Sequence, residues 1–142
     1  MKIEVTKISN DCHSIRVTRA NSSSDSIELN SRSFLRHDFA HFAVEVETPL
    51  LNGYWGSVAS GSPLGGNMNG SEIWLAESLA GPVQTLMRQE AGYERYLELL
   101  KVRVPDLASI DLAQRIHERA RQLQGHWRAT PFGDSMTIHW EV

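Results

Sequence analysis

The residues of this chain with the clearest capacity for chemistry lie within Phe34–Glu47, in the run FLRHDFAHFAVEVE. His37 and His41 stand four residues apart, Asp38 directly follows the first histidine, and Glu45 lies four residues beyond the second. On a helix, positions i and i+4 share a face about 6 Å apart along the axis, so both imidazoles can reach one metal ion. His-Asp-x-x-His echoes the His-Glu-x-x-His of zinc hydrolases, in which the acid activates a metal-bound water. That role falls here to Asp38, whose side chain is one methylene shorter than glutamate.

Two histidines leave a metal site one ligand short. Glu45 lies about 12 Å along the axis from His37, too far to share an ion with both histidines, and is better placed to orient His41 as an acceptor for its other ring nitrogen. A glutamate on a later helix is the expected third ligand. Glu72 and Glu77 occupy that region and Glu77 is the better placed; His139 near the C-terminus is a further option. Zinc or another divalent cation is the implied cofactor. His37, Asp38, His41 and Glu45 cluster within about 100° of the circumference, away from the apolar stripe, which favours a site over stray core histidines; the competing reading is a solvated helix face, which is polar by nature.

Other catalytic patterns fail. Gly61-Ser62-Pro63-Leu64-Gly65-Gly66-Asn67 lacks the lysine and hydroxyl of a phosphate-binding loop, and there is no Gly-x-Ser-x-Gly elbow. The His-Asp doublet invites comparison with HD-type phosphohydrolases. Those place it in an all-helical domain with another histidine upstream, whereas His13 reads here as part of a β-turn. A non-enzymatic alternative uses Tyr54 and Trp55, between Gly53 and Gly56, as an exposed binding or homodimer surface beside the glycine-rich loop.

Several elements must position these groups. Residues 2–8, 14–20 and 26–30 alternate apolar and polar side chains between polar turns and predict an antiparallel meander. The histidine helix, capped by Ser31 or Ser33 and stopped at Thr48-Pro49, turns Leu35, Phe39, Phe42 and Val46 toward that sheet. Residues 72–90 read as helical, with Met87 among the inward residues and Gly81-Pro82 expected to kink or split the helix. A short helix over 93–101 follows, and Ser109 caps a long one expected to end at Gly125. Residues 136–142, with Ile138, Trp140 and Val142 on one side, predict a last strand joining the meander. The fold expected is therefore α+β, one domain over 1–142, with a small antiparallel sheet covered by about four helices.

Bulk properties narrow the classes. The chain has 142 residues, 41% hydrophobic and 22% charged, with a net charge of −3. This suits one folded domain rather than disorder. No excess of positive charge draws it to nucleic acid. Arg115, Arg119, Gln122 and His126 do flank one helix, but Asp111 and Glu118 interrupt the charge and no aromatics interleave with it. Cys12 is the single cysteine, so no disulfide forms within the chain. With no signal-peptide pattern and no apolar run of about eighteen residues, the reading is cytoplasmic rather than membrane-bound.

The segment Phe34–Glu45 followed by Gly53-Tyr54-Trp55-Gly56 resembles a group of small uncharacterised bacterial proteins. They share a His-Asp-x-x-His-[Phe/Tyr]-x-Val-Glu helix and a Gly-aromatic-aromatic-Gly turn. The resemblance implies the same architecture and a bacterial source. It brings no activity with it.

Overall fold

The computed structural model describes residues 1–88 and 92–141, and the side chains of these except Ser33 and Met87. The expected cap Ser33, the inward Met87 and the strand end Val142 therefore lie outside what is described.

Three strands, β1 (Lys2–Lys7), β2 (Cys12–Thr18) and β3 (Ser24–Asn30), form the expected meander. β4 (Ser135–His139) pairs antiparallel with β1, giving the order β3-β2-β1-β4. Register follows from the alternation: Ile3 faces Val17 and Ile138, and Val5 faces Ile15 and Met136, so the apolar side chains share one face. His13 is not in a turn. It lies in β2 opposite Lys7 and Leu29 and is fully buried.

A π-helical turn (Ser31–Leu35) leads into α1 (Arg36–Glu47). Ser31 does not cap α1: Leu35 precedes the helix's first residue and makes no side-chain cap, while Ser31 Oγ lies 2.9 Å from His13 Nδ1. Leu35, Phe39 and Phe42 pack on Ile3, Val5, Ile15 and Val17, as the stripe requires. The opposite face is buried too. Ala40, Ala43 and Val44 pack with Ala76, Leu79 and Val83 of α3 (Ser71–Arg88) and Ala113 and Ile116 of α5 (Ile110–Ala129). α1 is thus a central helix between the sheet and a helical layer. Its alanines let the neighbouring backbones approach, and any polar group it carries must find partners inside the protein.

α2 (Tyr54–Ala59) is short, and α4 (Tyr93–Arg103) packs between α3 and α5. Two expected breaks are absent. α3 runs through Gly81-Pro82 as one helix, and Tyr96 Oη donates to Leu79 O, a carbonyl one turn before the proline, at 3.0 Å. α5 passes Gly125 and ends at Thr130-Pro131, where proline ends helical geometry. Packing of the α3 and α5 faces outweighs a local cost of about 1 kcal/mol for glycine.

Ser109 caps α5 as expected, its hydroxyl accepting from Leu112 N at 3.0 Å. Ser109→Ala should lower stability by about 1 kcal/mol in urea denaturation, with an unchanged slope. Unaltered stability would show that water serves this helix end equally well. Arg115 and Arg119 do not form a free basic face: both pair with Glu47, at 3.0 and 2.7 Å. Among the described residues, no helix is long and apolar enough to cross a membrane.

Candidate metal centre

α1 and α3 cross so that Glu77 reaches both histidines. His41 Nε2 lies 2.7 Å from Glu77 Oε2, and His37 Nε2 lies 3.3 Å from Glu77 Oε1. One ligand atom from each of His37, His41 and Glu77 falls within 4.8 Å of the other two. The imidazoles meet edge to face with centroids 4.6 Å apart. Of the later residues considered as a third ligand, Glu77 is the one brought to the histidines. Glu72 instead accepts from Asn52 N at 2.7 Å, and His139 sits on β4 in the sheet.

The other ring nitrogens are held from behind. His41 Nδ1 lies 3.2 Å from Glu45 Oε1, and His37 Nδ1 lies 2.6 Å from the Gln84 side-chain amide. Metal-binding histidines have this arrangement, with one nitrogen at the ion and the other on an acceptor that fixes the ring. Amide oxygen and nitrogen exchange places on a half-turn, so Gln84 can accept from a protonated Nδ1. Gln84 is absent from the sequence reading. Its signal is its spacing: it lies seven residues after Glu77, two turns along the same face of α3.

Glu45 has a second duty. Its carboxylate accepts from the backbone N–H groups of Tyr54, Trp55 and Gly56, at 2.9, 2.9 and 3.4 Å, and so caps α2. The close seat explains Gly53, where a Cβ would stand 2.5 Å from Glu45 Cδ. At Gly56 a Cβ would stand 2.0 Å from Leu51 O. The Gly-Tyr-Trp-Gly turn is therefore shaped to receive a buried carboxylate.

These contacts correct two expectations. The polar face of α1 is not a solvated surface, since His41 and Glu45 are 5% and 0% exposed. Nor is Tyr54-Trp55 a free contact surface. Trp55 is buried, packs edge to face with Phe42, and donates from Nε1 to Asp38 O at 3.2 Å. Tyr54 is half-buried, its ring edge-on to His41 and its hydroxyl accepting from Gly65 N at 3.3 Å.

Burial and charge set the protonation of the cluster. Burial pulls His41 toward neutrality, but its hydrogen bonds to Glu45 and Glu77 and their charges outweigh this, so its pKa is raised. His37 is lowered, by burial first and then by the charge of His41. Burial raises Glu77, yet the two histidines outweigh it and its carboxyl ends below the usual range. Asp38 Oδ2 is covered and has no hydrogen-bond partner among the described residues, and burial lifts the carboxyl pKa to about 7.

A cavity of about 720 Å³ between α3 and α4 is lined by Pro82, Leu86, Tyr96 and Leu99 and includes none of these ligands. No protein-family model, no curated protein and no solved structure matches the chain.

Proposed function

We propose that this chain is a metal-binding protein that holds a divalent cation, zinc foremost, on His37 Nε2, His41 Nε2 and the Glu77 carboxylate. The convergence of three ligand atoms within 4.8 Å carries the reading. Tetrahedral zinc spaces such ligands about 3.3 Å apart. Glu77, whose side chain is 57% exposed, has room to adjust toward that spacing. The backing of both Nδ1 atoms by Glu45 and Gln84 supports the same reading, and the nitrogen–oxygen donor set suits zinc.

A three-ligand site leaves a position for water, and a bound metal of this kind makes that water acidic enough to attack at neutral pH. We assign Asp38 as the base of a metal-dependent hydrolysis. Its unpartnered oxygen beside the ligand His37 supports the assignment. Asp38→Asn should keep the metal and reduce hydrolysis of a chromogenic ester by about a hundredfold or more.

The test of metal binding uses untagged protein. Elemental analysis should find close to one zinc per chain, and zinc added to chelator-treated protein should raise Tm. His37→Ala and Glu77→Gln should each abolish both effects. Chelator-treated protein that takes up no zinc and melts unchanged would overturn the proposal. His41 would then be a histidine clamped between the carboxylates of Glu45 and Glu77.

A further inference from the structure

We propose a second ligand site, separate from the metal cluster, that takes a small aromatic anion. A cavity of about 410 Å³ lies between the π-helical turn, the first turn of α1 and the last turn of α5. That volume is in the range of small-molecule sites. Arg32, Arg36 and Arg128 line it in a chain whose net charge is −3. Arg32 is engaged with Asp11 at 2.6 Å, which makes Asp11 the carboxylate at the rim. Arg36 and Arg128 have no hydrogen-bond or ion-pair partner among the described residues. Two unengaged guanidinium groups at one cavity are suited to grip a phosphate or carboxylate, which fits their planar fork.

The end of α5 would ordinarily oppose an anion, because its last carbonyls are partly negative. Here Lys7 Nζ donates to Trp127 O at 2.7 Å and Thr130 Oγ1 to His126 O at 2.8 Å, so two of those carbonyls are already satisfied. Lys7 Nζ also stands 4.7 Å from the Trp127 ring centre.

The remaining walls select what the anion is attached to. Trp127 supplies aromatic surface, with the edges of Leu35 and Phe39 beneath it, while the amides of Asn10 and Gln124 supply hydrogen bonds. His13, buried behind this wall, fixes two of its members through Ser31 Oγ and through an edge-to-face contact with Trp127 at 6.0 Å. A bare inorganic ion would leave the aromatic wall unused. An aromatic ring bearing a phosphate uses both halves.

Phenyl phosphate and inorganic phosphate, titrated separately into chelator-treated protein by calorimetry and nitrogen-15 NMR, test this site. Phenyl phosphate should bind saturably and shift the Trp127 indole N–H. Its affinity should exceed that of inorganic phosphate by about tenfold, equivalent to about 1.4 kcal/mol. Arg128→Gln, an exposed substitution, should weaken it by about tenfold, and Arg36→Gln with Arg128→Gln should abolish it while leaving the zinc titration unchanged. Equal affinity for the two probes, binding unaffected by the double substitution, or no binding at millimolar phenyl phosphate would each overturn the proposal.

Discussion

Glu45→Ala should destabilise the chain by about 3–5 kcal/mol, the range for removing one partner of a buried charged pair. Three backbone N–H groups at the start of α2 and one nitrogen of His41 converge on this carboxylate, which is fully buried. Alanine leaves all four without that partner in a space too crowded by Tyr54 and Trp55 for them to reach bulk water. Against a typical total of about 5–15 kcal/mol, the loss brings the domain near its unfolding threshold. Urea denaturation followed by far-ultraviolet circular dichroism measures it. A cost below about 1 kcal/mol would mean that the α2 cap contributes no more than an ordinary surface hydrogen bond.

Glu45→Gln separates structure from metal chemistry. Glutamine fills the same space and retains one acceptor oxygen, so the fold should survive with a loss of about 1–3 kcal/mol. It removes the charge behind His41, and zinc affinity should fall by about 10–100-fold. Gly53→Ala should reproduce the alanine result from the other side, since its Cβ would occupy the carboxylate's position, 2.5 Å from Glu45 Cδ. If Gly53→Ala matches wild type in stability, the α2 end yields more readily than the geometry implies.

The behaviour of Glu45 shows which parts of this molecule can be read from local pattern. Period-two alternation around Ile3, Val5, Ile15 and Val17 specifies the strand faces, and the Leu35–Phe39–Phe42 stripe specifies what they meet. His37, His41, Glu77 and Glu45 are legible as a group because helical spacing and ligand chemistry are both local rules. Burial of the polar face of α1 is not, because it depends on α3 and α5 arriving from more than twenty residues away in sequence. The same absence of tertiary information makes Trp55 resemble a surface residue and Gly81-Pro82 a break. Locally an aromatic between glycines is exposed and a proline ends a helix. In the fold, Trp55 fills space beside Phe42, and Tyr96 serves a carbonyl near Pro82. Gly53 and Gly56 did carry a signal, but it concerned room for a carboxylate and a carbonyl rather than flexibility.

Acid should unfold the native chain sooner than a His13→Leu variant. His13 is fully buried, Nδ1 bonds Ser31 Oγ, and Nε2 has no hydrogen-bond partner among the described residues. Burial lowers its pKa from 6.5 to about 4, so the ring is neutral in the fold. Between those values the unfolded chain binds the proton and the folded chain does not, so stability falls as pH drops through that window. A shift of this size corresponds to roughly 3 kcal/mol, fully lost near the folded pKa. Asp38 works in the opposite sense, because its pKa of about 7 lies above the unfolded value and its protonation favours the fold as pH falls. The informative quantity is therefore the difference between variant and native protein at each pH, in which Asp38 cancels. Near neutrality the two should differ by about 1 kcal/mol or less, the worth of the Ser31 hydrogen bond. Near pH 4 the leucine variant should lead by about 2–3 kcal/mol in urea denaturation. Parallel stability profiles across that range would show that the imidazole accepts its proton within the fold, and the assignment of a neutral, buried His13 would fall.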